Sequence, residues 1–214
     1  MKDQKYKKWD RWISYIVFTT KELIENRYIY KEVHKIIERN QKLSSNNPFF
    51  HWIKNNYINN ASMMICRLRD DHKDCISLYK LLEEITNFPK ILSRTRFINV
   101  TKDLKISEKE ANSLFDELTG SGKENIDPLH VRLGLMNFLE ISERIKDYRD
   151  NIIAHTDKRD FENWFCESEL DECIDLIEKI VIKYRAFFQG VRHTNLLPRL
   201  KDNWKNIFKI YWIP

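Results

Sequence analysis

Four glycines and five prolines in 214 residues leave this chain few places to reverse direction, so its elements must be few and long. Apolar residues recur every three or four positions through much of it, the period of a helix with one buried face. The clearest run is Val131, Leu135, Phe138, Ile141, Ile145, Tyr148 and Ile152. With 42% apolar and 13% aromatic residues, the chain can bury a substantial core. One large helical domain with appendages is the simplest organisation for this length.

The pattern predicts helices over about 9–39, over 48–69 with Pro48 in the first turn, and over about 77–86 until Asn87-Phe88-Pro89 ends it. It weakens between Lys90 and Lys105. Ser107 and Glu110 then form a capping box opening a helix to about Leu118. A central helix runs from about Pro128 through Tyr148 and beyond, and a last long one covers about 168–188. The closing residues, including Trp204, Ile207, Phe208, Ile210, Tyr211, Trp212 and Ile213, are too apolar to stay free in water and should dock on the body or a partner.

Composition narrows the function classes. The net charge of +5 is modest, and 32 acidic residues are spread among the basic ones, so a basic partner surface is permitted but not demanded. The densest basic cluster, Lys2, Lys5, Lys7, Lys8 and Arg11, reads as a frayed soluble tail rather than a phosphate contact. Cys66, Cys75, Cys166 and Cys173 lack metal-site spacing, so no metal or other cofactor is expected. Without a signal peptide or a spanning segment, they read as reduced thiols of a cytoplasmic protein, not a membrane one. Asp70-Asp71-His72-Lys73-Asp74 has no glycine for a calcium-loop turn and reads as a solvated connection. The loop Gly120-Ser121-Gly122-Lys123 fails the phosphate-loop pattern in both glycine spacing and the residue after lysine.

At the end of the central run stands Tyr148-Arg149-Asp150-Asn151-Ile152-Ile153-Ala154-His155. At about 100° and 1.5 Å per residue, Arg149 and His155 fall on opposite margins of the apolar stripe, roughly 120° and 9 Å apart. A cation and an imidazole at the edge of a buried face are costly without partners, which makes them a candidate site. The plainer alternative is structural, with Arg149 pairing an acid across helices and His155 capping the chain end.

The segment Arg149 to His155, an arginine followed by a polar residue, spacers and a histidine, resembles the motif of the HEPN (higher eukaryotes and prokaryotes nucleotide-binding) superfamily. The stretch Arg67 to Leu82, with its Asp-rich junction, resembles the segment joining two core helices in the abortive-infection U-type, AbiU2-like, branch. The resemblance spans roughly residues 10–190. It implies an all-α, up-and-down helical bundle over 1–190, with 191–214 as an apolar C-terminal extension. It also implies a homodimer whose composite site draws on two chains.

In catalytic members that site is a metal-independent endoribonuclease, active in phage defence or as a toxin. RNA supplies its own 2′-hydroxyl nucleophile, so the protein need only move protons and stabilise the phosphorane. By the resemblance, His155 is the general acid/base and Arg149 the phosphate clamp, supported by Tyr148, Asp150 and Asn151. Arg67, Arg69, Lys158 and Arg159 are candidate contacts to the RNA backbone, the last two being equally readable as a charged turn. The branch controlled by nucleotidyltransferase antitoxins carries a tyrosine two residues after the histidine. This chain has Asp157 there, which argues against that control, though an antitoxin or other regulatory protein stays a candidate partner. A non-catalytic module binding RNA or nucleotide, and a helical scaffold recruiting a protein, remain the alternatives.

Overall fold

A computed structural model describes residues 2–40, 47–154, 164–190, 193–200 and 202–209. The chain is all-α. Its helices are α1 (Lys2–Glu38), α2 (Pro48–Arg69), α3 (Leu78–Asn87), α4 (Arg94–Lys102), α5 (Glu108–Thr119), α6 (Pro128–Ile141), α7 (Glu143–Tyr148) and α8 (Glu167–Gln189). Short 3-10 helices cover Pro89–Ile91 and Asp202–Lys209, and a π-helical turn covers Arg149–Ile153. Among the described residues the only β pairing is an isolated bridge between Ser93 and Asn125.

The long α1 is the spine. It packs against α8, α2 and α3, while α3 packs on α6 and the α4–α5 pair leans on α8. Its inward positions Trp9, Ile13, Ile16 and Leu23 are essentially solvent-free. They meet Leu81, Leu82 and Ile85 of α3, Ile65 of α2, Phe138 of α6 and Phe187 of α8 in one continuous core.

Helix starts follow local chemistry. Asn47 caps α2 through Phe49 N–H, with Pro48 in the first turn where no N–H is needed. Ser77 caps α3 through Lys80 N–H at 3.1 Å, and its own hydroxyl donates to the Asp70 carbonyl. Ser107 and Glu110 make the expected reciprocal capping box.

The basic N-terminus is ordered helix and not a frayed tail. Glu84 draws it in, accepting from Lys8 Nζ at 2.6 Å and from the indole N–H of the buried Trp9 at 2.6 Å, with Lys5 at 3.4 Å. Lys5 and Lys8 also lie over the rings of Phe88 and Trp12, each 4.1 Å from the ring centre.

The region of weak pattern holds α4. A helix this short needs only Phe97 and Thr101, one turn apart, to face inward, too few to show as a stripe. Arg94 at its start donates to Asn112, Asp116 and the Lys123 carbonyl, so the glycine-bearing loop is tied to α4 and α5. At the C-terminus Leu196 is buried with its N–H on Glu178, and Lys205 pairs with Glu32 of α1. Ile207 and Phe208 stay 45% and 43% exposed, and residues 210–213 lie outside the described residues.

The Glu84 contacts carry a stability prediction. Burial raises its carboxyl pKa, but the hydrogen bonds from Lys8 and Trp9 prevail and hold it below the usual glutamate range. A depressed folded pKa contributes stability that is present above the unfolded value of about 4.3 and is lost as pH falls through the folded one. Glu84→Ala, which orphans the Trp9 N–H, should cost about 1–3 kcal/mol. That corresponds to roughly 2–4 °C of Tm per kcal/mol for a domain of this size. Glu84→Gln should cost less, and thermal melts should show the wild type's advantage over it shrinking as pH drops below about 4.

Candidate functional site

The run expected as one central helix from Pro128 through the Arg/His motif is broken twice. At Ser142 (φ −94°, ψ 1°) the backbone leaves helical geometry, and α7 starts anew at Glu143. The Ser142 hydroxyl donates to the Phe138 carbonyl at 2.6 Å, the local back-bonding that bends helices. The Ser142 carbonyl accepts from Arg69 Nη1 at 3.2 Å as well as from Lys146 N–H at 3.0 Å, so a side chain from α2 is fastened to the backbone at the break.

The second departure is the π turn over Arg149–Ile153, closed by Ala154 N–H donating to the Arg149 carbonyl at 2.8 Å. The wider i→i+5 loop invalidates uniform 100° spacing across the motif. The apolar stripe therefore ends early. Val131, Phe138 and Ile145 are fully buried, whereas Ile152, expected on the same face, is 39% exposed. The 120° separation of Arg149 and His155 rested on the regular helix and falls with it. His155, Lys158 and Arg159 lie outside the described residues.

Arg149 sits where the π turn packs against the C-terminal half of α2. Its Nε is buried, with Asp150 Oδ1 2.6 Å away. That contact lacks hydrogen-bond alignment, so it is ionic and the Nε–H is left unsatisfied. The other oxygen of Asp150 meets Lys146 Nζ at 3.0 Å. Among the described residues no hydrogen bond occupies the terminal guanidinium nitrogens, and the side chain keeps 30% of its surface exposed. The arrangement leaves a planar cationic fork for an oxyanion, balanced at its base by one carboxylate.

Around it the supporting residues divide by role. The Tyr148 hydroxyl donates to Asn59 Oδ1 at 2.9 Å, and its ring packs edge-on against Phe165 and near Trp164. Asn151 Nδ2 donates to the Asp147 carbonyl, bracing the π turn from inside. Arg69 is 11% exposed and is taken up by the Ser142 carbonyl and the Glu143 carboxylate. Arg67 lies exposed on the outer side of α2.

The Asp-rich junction is more than a solvated connection. Asp70 ends α2 and accepts from His72 N–H at 2.8 Å and Cys75 Sγ at 3.3 Å. The His72 bond chiefly holds its carboxyl below the usual range, with Arg149's charge adding to the effect. Asp70 and Arg149 therefore share one electrostatic neighbourhood although 79 residues apart in sequence.

Sequence reasoning missed Cys66, Ser142, Lys146 and Asn59. Their only signal was spacing: Lys146 lies one turn before Asp150, and Ser142 is a helix-interior serine followed by Glu143, a first-turn acid. Burial pushes the Cys66 thiol up to about 11, against a smaller opposing pull from Arg149, and burial pushes Cys173 up to about 12. The hydrogen bond to Asp70 raises Cys75. Cys166 alone of the four is exposed. Iodoacetamide at pH 7.5 should alkylate Cys166 at least tenfold faster than Cys66 or Cys173 in the native protein, read by peptide mass spectrometry, with the difference vanishing in denaturant.

Compared with known proteins, the chain matches no curated protein and no solved structure. It does match the HEPN family model described as AbiU2, over residues 6–207. That span takes in α1, the Asp-rich junction, the Arg149 turn, α8 and the docked Lys205. Nearly its whole length thus fits one family pattern, and the chain belongs to the HEPN AbiU2 family.

Proposed function

We propose that this HEPN protein is a metal-independent endoribonuclease acting in abortive infection or as a toxin in the cytoplasm, with Arg149 and His155 as its working residues. The observation that carries the reading is the Arg149 fork, presented at a π turn six residues before a histidine, with no hydrogen bond on its terminal nitrogens among the described residues. π turns recur at functional sites because they displace side chains from the regular helical path.

The chemistry needs little else. The RNA 2′-oxygen attacks the adjacent phosphorus, forming the O2′–P bond as P–O5′ breaks. The products are a 2′,3′-cyclic phosphate and a 5′-hydroxyl. His155 transfers the proton, and Arg149 stabilises the charge developing on the non-bridging oxygens. A homodimer places a second Arg/His pair across a two-fold axis, so that one imidazole can take the 2′-hydroxyl proton while the other donates a proton to the leaving O5′.

The Asp150 carboxylate against Arg149 favours a second reading, a non-catalytic module that binds RNA or nucleotide and is held in check by that pair. Cleavage of labelled total RNA by wild type, His155→Ala and Arg149→Ala, each in excess EDTA, separates the two. For the nuclease, cutting survives the chelator and leaves cyclic phosphate ends. It falls about 10²–10³-fold in Arg149→Ala and about 10²–10⁴-fold in His155→Ala. Salt-sensitive binding without cleavage, lost in Arg149→Ala, would instead establish the module.

A further inference from the structure

Helix α2 differs from the other long helices in its charge. Its 22 residues carry His51, Lys54, Arg67 and Arg69 and no Asp or Glu, in a chain with 32 acids among 214 residues. At that overall frequency about three acids would be expected. Among the described helices longer than ten residues, α2 is the only one without a carboxylate.

Its outer face is ordered by chemistry. At about 100° per residue, Trp52, Asn55, Asn56, Asn59, Asn60 and Arg67 fall within an arc of roughly 140°. All are exposed except Asn59, which is half-buried under Tyr148. At the N-terminal end Phe49 and Trp52 are 53% and 61% exposed, yet their rings stack on each other, 5.9 Å between centres and 14° from parallel. Two large aromatic rings standing together in water are a costly surface for a free protein.

Beside them a cavity of about 530 Å³ opens between α1 and α2, lined by Tyr30, His34, Glu38, Phe50, His51 and Lys54. The flanking acid Glu167 is already engaged by Lys54 and the Tyr30 hydroxyl. At the other end the same helix reaches Cys66 and Arg69, which feel or adjoin the Arg149 turn. From Trp52 to Cys66 is about 21 Å along the axis, room for several nucleotides.

We propose that the outer face of α2 is a track for unpaired RNA. Phe49 and Trp52 stack a base at its far end, the asparagine amides bond base and sugar groups along it, and Arg67 leads the backbone toward Arg149. Stacked aromatics with amides and cations, and no carboxylate on the helix itself, suit a single strand whose base faces are open. A duplex hides those faces. This deepens the ribonuclease reading and rests on it for what lies at the end of the track.

Fluorescence anisotropy tests it with a labelled 12-nucleotide 2′-O-methyl RNA, which lacks the nucleophile, as a single strand and as a duplex. The proteins are wild type, Phe49→Ala/Trp52→Ala, Trp52→Phe and Arg149→Ala. Cleavage of the unmodified strand is measured in parallel. The expected result is single-strand binding at least tenfold tighter than duplex binding, weakened about tenfold in the double variant and largely kept by Trp52→Phe. Binding by the double variant equal to wild type, or equal affinity for duplex, overturns the track while leaving the Arg149 reading intact. Weakened binding in the double variant with no cleavage by any protein keeps the track and overturns the nuclease. No binding of either RNA by wild type overturns both.

Discussion

The Ser142 carbonyl, at the break between α6 and α7, accepts from Lys146 N–H and takes a second donor, Arg69, from another helix. Its guanidinium, largely out of water, bonds the Ser142 carbonyl and pairs with Glu143, stitching the end of α2 to the start of α7. A charged hydrogen bond of this kind contributes about 1.5–3 kcal/mol. Its structural consequence is larger. With α7 held at that point, the Arg149 turn is set down on the C-terminal half of α2, and Tyr148 reaches Asn59. The candidate site is thus a property of two helices far apart in sequence.

The electrostatics of that meeting point are balanced and not simply basic. Arg149 and Lys146 share Asp150, Arg69 takes Glu143, and Asp70 lies close enough to sense Arg149. Pairing of this sort allows several cations to be held together in the absence of a polyanion without strong mutual repulsion. Asp150 orients the Arg149 guanidinium in advance, which under the proposed function lowers the ordering cost of binding a phosphate.

Helix α2 does two jobs from opposite sides. Its inward side, with Ala61, Ile65 and Leu68, belongs to the core, while its outward side is free of carboxylates. The rigidity that core burial gives to one side is inherited by the other. Groups on a packed helix hold their spacing better than groups on a loop, which is what the proposed RNA track would require.

The helical class, the bounds of α2 and α3, the capping box at Ser107 and the motif around Arg149 were legible in the residues themselves, because periodicity and capping act within a few positions. So was the resemblance to HEPN, which the family match bears out. Short α4 was not legible, since two inward residues make no pattern. Nor was the ordered N-terminus, whose lysines are drawn in by Glu84, about 80 residues away. The breaks at Ser142 and Arg149 also escaped, because the local pattern continues smoothly through them. The sequence by itself determined the long helices and marked Arg149 and His155 as candidates for the chemistry. Only the tertiary structure decided where the motif helix bends and what faces Arg149, because the local back-bond of Ser142 permits a bend and the contacts from α2 fix the path the backbone takes there.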